Sequence, residues 1–362
     1  MTTYHGGNIY EAARVTGRSL TRVIDFSASI NPLGPSPRAV RAMTSALRLA
    51  SHYPEPDCIA LRKALADRHG LIPGQVLMGN GSSEVIQLLP RALSLRSALI
   101  VGPTFSEYAR AMLLEGGQTV SVNAKRAEQY RVPIQDAIRT IRNKRTKIEA
   151  VFVCNPNSPT GQGVGPEDLS ELVEAISCCG GWTIIDETFV DYCEERSVLP
   201  QLNRYSRVVI LRSFTKFYAL PGLRIGYAVS DEKTVARLRA WQPPWSVNTL
   251  AQVAALSSMN DIAYAGKSRR FMALERARLF AALRALHDVV VFPSLANFLL
   301  VELPPSHTAV EVAERLYAEG ILVRDCSATP GLTARTIRVA VRTRGQNRRL
   351  ITALRRLLRG QE

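Results

Sequence analysis

Lys216 stands in SFTKFYALPGLRIGY (213–227), directly after the apolar run VVILR, with Ser213 and Thr215 beside it and Arg224 downstream. Lysine is an amine nucleophile toward carbonyls once its proton is lost, so such a lysine needs a lowered pKa. Neighbouring hydroxyls and a guanidinium suit a phosphate. The set fits a covalent bond to a phosphate-bearing aldehyde, although Lys216 taken alone reads as an ordinary loop lysine.

Asp186 removes that ambiguity. It ends the run WTIID, and open α/β sheets carry their ligand sites at the C-terminal ends of strands. A carboxylate buried there needs a cationic partner. The protonated nitrogen of a pyridine ring is one, and a ring kept protonated accepts electrons from a carbanion. By itself an aspartate at a strand end is more often a cap or an ion-pair partner. With Lys216 it points to pyridoxal 5′-phosphate (PLP).

Two further segments follow apolar runs. CNPNSPTGQG (154–163) holds Asn157 and Ser158 in a rigid Asn/Pro/Gly loop able to approach a planar ligand, a composition that also marks plain turns. GNGSSEVI (79–86) is a glycine-rich strand-to-helix turn, where backbone N–H groups and Ser82 or Ser83 can cradle a phosphate at a helix N-terminus. No Walker lysine follows, so it is not a nucleotide P-loop.

The elements that must position these residues are legible as short apolar runs between amphipathic stretches: VLMG (76–79), ALIVG (98–102), AVFVC (150–154), WTIID (182–186), VVILR (208–212) and IGYAV (225–229). Strands alternating with helices predict an α/β fold with a mostly parallel, buried sheet flanked by helices. WQPPWSVNT (241–249) breaks the rhythm. Beyond it, a long helical stretch, VVVFPSLANFLLVEL, ILVRDC and TIRVAVR predict a smaller α+β unit. The expected organisation is an N-terminal arm (1–30), a large PLP-binding domain (31–242) and a small C-terminal domain (243–362).

Composition agrees with a folded protein: 46% of the 362 residues are hydrophobic and 21% charged. The apolar runs are strand-sized, so no membrane span is expected, and the N-terminus lacks the apolar core of a secretory signal, which predicts a cytoplasmic protein. Six scattered cysteines show no C-x-x-C pair and no zinc-ligand spacing, so no metal is expected. The net charge of +15 raises the question of a nucleic acid partner. The basic residues are spread, however, and the C-terminal cluster reads as an amphipathic helix with Leu350, Ile351, Leu354, Leu357 and Leu358 on one side and arginines facing solvent. No nucleic acid is expected; the excess charge suits a small phosphorylated substrate.

Taken in order, these segments resemble the fold-type I PLP enzymes, the aspartate aminotransferase superfamily, over essentially the whole chain. The resemblance implies a large domain with a mostly parallel central sheet plus a small α+β domain, and a homodimer with active sites at the subunit interface. It implies that Lys216 is the Schiff-base lysine and Asp186 the ring-nitrogen partner. Ser213, Arg224 and the Ser82–Ser83 turn form the phosphate cup, with Tyr53 reaching the phosphate across the interface. Phe105 or Tyr108 in GPTFSEY covers one face of the ring.

Within the superfamily the chain resembles two groups, histidinol-phosphate aminotransferases and L-threonine-O-3-phosphate decarboxylases of cobalamin biosynthesis. HGGNI at the N-terminus, DFSASINPLG (25–34), PWSVNTLAQ (244–252) and ILVRDCSATPGL (321–332) look like the second. This implies a phosphorylated amino acid substrate held by His5, Gly6, Ser29, Arg324 and Arg338. His5 with Gly6 and Gly7 offers an imidazole and close-approaching N–H groups, although chain termini are often frayed. The chemistry then depends on which bond at Cα stands perpendicular to the ring. Three positions depart from common patterns: Ser158 precedes P-T-G where many relatives have an asparagine bonded to the 3′-oxygen, leaving that contact open between Asn157 and Ser158; Phe189 replaces a tyrosine; and Ser29 stands where some decarboxylases have asparagine. A non-catalytic regulator would carry a DNA-reading module before the large domain, and none is visible.

Overall fold

In the computed structural model of the chain, residues 6–143 and 147–359 are described. The six strands expected from apolar runs, joined by β4 (Gln118–Asn123), which was not expected, form one seven-stranded sheet: β2 (Val76–Gly79), β3 (Ser97–Gly102), β4, β5 (Ala150–Cys154), β6 (Trp182–Asp186), β7 (Val208–Ser213) and β8 (Gly226–Val229). Short β1 (Ile24–Asp25) precedes them in the chain. The sheet order is β2-β8-β7-β6-β5-β3-β4, parallel except for β8, which runs against both β7 and β2.

Central strands read as unbroken apolar runs because both faces are covered. Along β5, Val151 and Val153 enter one core while Ala150 and Phe152 enter the other. The first core is closed by α2 (Pro37–Ala46), α3 (Ile59–His69), α6 (Ile134–Arg142), α7 (Pro166–Ser177) and α9 (Thr249–Met259). The second is closed by α4 (Ser82–Ala92), α5 (Glu107–Leu114) and α8 (Glu232–Ala240). Each side chain so buried contributes about 1.5–3 kcal/mol. Side chains of Ser36, Asp231 and Asn248 cap α2, α8 and α9, satisfying N–H groups that have no partner inside the helix.

A second group of elements surrounds a four-stranded antiparallel sheet of order β12-β13-β10-β9: β9 (Val290–Val291), β10 (Phe298–Glu302), β12 (Arg324–Asp325) and β13 (Thr336–Ala340). Strand β11 (Ile321–Leu322) pairs in parallel with β1, tying the N-terminal segment to this unit. Helices α10 (Ile262–Arg284), α11 (Ala309–Ala318) and α12 (Arg344–Arg359) complete it, and α1 (Ile9–Thr16) packs on α11. As expected, α12 buries Leu350, Ile351, Leu354 and Leu357 and exposes arginines. Among the described residues, no helix is long and apolar enough to cross a membrane.

Candidate active site

The expected site residues gather along the C-terminal ends of the parallel strands. Asp186 ends β6, Ser213 ends β7, and Lys216 follows three residues later. Asn157 and Ser158 follow β5, Phe105 and Tyr108 follow β3, and Ser82 and Ser83 open α4 after β2.

Lys216 is half-buried on a pinned loop. Asn31 donates its N–H to the Lys216 carbonyl at 3.0 Å, and its side-chain amide donates to the Phe217 carbonyl at 2.9 Å and to Ser268 Oγ at 3.0 Å. Asn31 lies in DFSASINPLG (25–34), but nothing local marks it as the brace of a loop 185 residues away in the chain. Burial pushes the Lys216 ammonium down to about 8, and the guanidinium groups of Arg338 and Arg224 push the same way. Such an amine is a competent nucleophile near neutral pH.

Asp186 is buried. Thr188 N–H donates to Oδ1 at 2.9 Å and the Tyr108 hydroxyl donates to Oδ2 at 2.7 Å. Burial raises its pKa, while the hydrogen bonds from Thr188 and Tyr108 and the charge of Lys216 oppose the shift. Each carboxylate oxygen has two acceptor positions, so each retains one for a further donor. Of the two aromatic residues considered as ring covers, Tyr108 is engaged behind Asp186 and only 1% exposed. Phe105 is half-buried and meets the Tyr108 ring edge-on at 5.7 Å.

The phosphate turn depends on two glycines. Gly81 has φ 79°, a backbone region L side chains rarely adopt, and a Cβ there would lie 2.6 Å from Arg224 Nη2. At Gly226 a Cβ would lie 2.6 Å from the Ser82 nitrogen. Strand β8, the first turn of α4 and the Arg224 guanidinium are thereby brought together. Ser213 Oγ and Thr215 Oγ1 share a hydrogen bond of 2.8 Å nearby on the chain.

The loop after β5 separates Asn157 from Ser158. Asn157 receives the Thr104 hydroxyl at 2.7 Å and donates to the Pro103 carbonyl and Thr160 Oγ1, both at 2.8 Å, so its amide is spent holding the loop. Ser158 Oγ instead accepts from Arg338 Nη1 at 2.8 Å. Neither pairing was legible from the motif. Phe189 is buried edge-on against Phe298.

Arg338 also donates to the Ser27 carbonyl at 2.8 Å, and its buried Nε has no partner among the described residues. Arg324 faces it across the β12–β13 pair. Ser29 is buried, its hydroxyl likewise without a partner among the described residues. A Cβ on Gly6 would approach the Ser27 carbonyl oxygen to 2.5 Å, and Gly7 N–H donates to Ser27 Oγ at 2.8 Å, so the N-terminal segment lies closely on 25–28. His5 is outside the described residues. Tyr53 is 79% exposed and stacks on Trp245 with ring centroids 4.5 Å apart.

The family model for class I and II aminotransferases matches residues 21–354. The chain belongs to this family. It is 38% identical over 358 residues to the threonine-phosphate decarboxylase of Salmonella typhimurium, covering 98% of this chain and 97% of that one. It is 31% identical to a histidinol-phosphate aminotransferase of Methanothermobacter thermautotrophicus, covering 96% and 92%. Among solved structures, the L-threonine-O-3-phosphate decarboxylase of Porphyromonas gingivalis superposes with a TM-score of 0.82 at 26% identity, over 93% of this chain and all of that one.

The residues present fit PLP. A lysine with a depressed pKa, a buried carboxylate with acceptor positions left and a glycine-lined helix N-terminus beside an arginine match an aldehyde, a ring nitrogen and a phosphate in turn.

Proposed function

We propose that this chain is a PLP-dependent decarboxylase that converts L-threonine O-3-phosphate to (R)-1-aminopropan-2-ol O-2-phosphate and CO2, a step of cobalamin biosynthesis. The observation that carries the choice is the 38% identity to the Salmonella decarboxylase across nearly the whole of both chains, against 31–34% for histidinol-phosphate aminotransferases.

In this reading Lys216 binds the cofactor aldehyde, Asp186 holds a proton at the ring nitrogen, and Ser82, Ser83, Ser213 and Arg224 hold the phosphate. Phe105 packs on the ring. When bound, PLP supplies a protonated ring that accepts the electron pair released when a bond at the substrate Cα breaks. Arg324 and Arg338, opposite one another on the paired strands β12 and β13, hold the substrate's anionic groups. Ser158 and the Ser27 carbonyl fix the Arg338 fork. Gly6, Ser29 and His5 complete the substrate side. By fixing the phosphate, these anchors would leave the substrate carboxylate free to turn, and orientation selects which bond at Cα breaks. Once the substrate amine has taken its place on the aldehyde, the freed Lys216 amine would supply the proton that Cα takes up in place of CO2.

We further propose a homodimer in which Tyr53 reaches the partner's phosphate site; its 79% exposure supports this. The division into arm, large domain and small domain is retained with one shift. Ala251, Ala254 and Ala255 of α9 join the large core, which favours a boundary near residue 260 over one at 242.

The test is to incubate the PLP-loaded protein with phosphothreonine and to measure CO2 and aminopropanol phosphate. The rival reading, histidinol-phosphate aminotransferase, rests on relatives 31–34% identical. Absence of CO2, with pyridoxamine phosphate formed from histidinol phosphate, would establish it instead.

A further inference from the structure

We propose that Tyr108 is a positioning residue that holds Asp186 as an anion and so sets how firmly the chain grips the protonated ring nitrogen of its cofactor; this rests on the PLP reading above. Tyr108 sits on α5, after β3, and reaches across β5 to the end of β6. Its hydroxyl donates to Asp186 Oδ2 at 2.7 Å, and both residues are buried, at 1% and 4% exposed.

The phenol cannot easily turn away. Its ring stacks on Phe152 at 5.5 Å with 20° between planes, and Phe105 meets it edge-on at 5.7 Å. Phe105 is also the residue assigned to cover the cofactor ring, so one side chain supports both the ring cover and the carboxylate.

Charge makes this contact matter. A buried carboxylate is driven toward its neutral form, and a neutral Asp186 would give up the charge that attracts a protonated ring nitrogen. The other groups acting on it are Thr188, through its side chain and through its N–H on Oδ1, Lys216 from the loop after β7 and the Cys154 thiol at the end of β5. The thiol donates to the Pro156 carbonyl at 3.2 Å. Tyr108 thus supplies the only side-chain hydroxyl on Oδ2 among the described hydrogen bonds.

The experiment titrates cofactor-free protein with PLP, following the visible absorbance, for wild type, Tyr108→Phe, Asp186→Asn and the double variant. Phenylalanine keeps the packing against Phe152 and Phe105 and removes only the hydroxyl. Loss of a hydrogen bond to a charged group predicts PLP affinity lowered at least about ten-fold in Tyr108→Phe. In the Asp186→Asn background, the same change should alter affinity less than about two-fold, because the charge it served is gone. The double variant leaves no carboxylate stripped of its donor, so it keeps the comparison available if the single variant folds poorly. Unchanged affinity in Tyr108→Phe, or an equal loss in both backgrounds, overturns the inference in favour of simple packing. If wild type develops no visible band, the PLP reading itself fails, and this inference with it.

Discussion

Replacing Gly226 by alanine tests how closely the sheet and the phosphate turn are coupled. The added Cβ would lie 2.6 Å from the Ser82 nitrogen and 2.9 Å from the Arg212 carbonyl oxygen, both backbone atoms. Ordinary contact begins near 3.4 Å. The first turn of α4 and strand β8 must therefore part by roughly 0.8 Å, with no flexible side chain to absorb the movement. Overpacking of this kind costs about 1–3 kcal/mol. At about 2.1 cal/mol/K per residue for the unfolding entropy, that lowers Tm by about 1–4 °C for a chain of this length. The functional effect is of similar free energy but easier to read, because displacing a ligand-positioning group by around 1 Å costs about 10²-fold. Gly222→Ala is the matched control: it lies in the same segment, and its Cβ would meet nothing within 4 Å. Tm by calorimetry and PLP affinity by absorbance titration should fall for Gly226→Ala and stay near wild type for Gly222→Ala. Equal values for the two variants would refute the claim that this glycine sets the turn.

Three other outcomes follow from the same geometry. Lys216 ionises near 8, so the rate of PLP capture should rise with pH through about 8 and level off above it, read by stopped-flow absorbance. Its folded-state pKa lies below the unfolded value of 10.5, so in cofactor-free protein the penalty for a charged Lys216 is fully present below about 8 and is relieved toward 10.5. Lys216→Met should therefore stabilise that form at pH 7, measured by urea denaturation. Glu187 is buried with Arg212 Nε at 2.8 Å, the Ser197 hydroxyl at 2.8 Å and the Val198 N–H at 2.9 Å, so Arg212→Met leaves an unpaired buried charge and should cost about 3–5 kcal/mol in the same assay. Arg338→Lys loses the fork that spans Ser158 and the Ser27 carbonyl; KM for phosphothreonine should rise about ten-fold or more with Tm little changed. An unaltered KM would remove Arg338 from the substrate site.

The sequence by itself determined six of the seven central strands and the positions of Lys216 and Asp186 at their ends. Strands covered on both faces must be continuously apolar, so β2, β3, β5, β6, β7 and β8 each announce themselves locally, and their C-terminal ends are then known to within a residue or two. Strand β4 gave no such signal: QTVSVN lies at the sheet edge, and four of its six residues are exposed. Helix α9 followed a proline-rich break that read as a domain junction, yet its alanines pack back on the large core. Tertiary structure alone decided how the polar groups divide their work. Asn157 and Ser158 are chain neighbours, but one braces its own loop and the other meets Arg338, 180 residues away. Phe105 and Tyr108 are alternatives for the ring cover in the sequence, and only the folded chain shows that the Tyr108 hydroxyl donates to a carboxylate 78 residues later. Apolar periodicity is a local property, whereas a hydrogen-bond partner is fixed only when separate strands and helices are brought side by side.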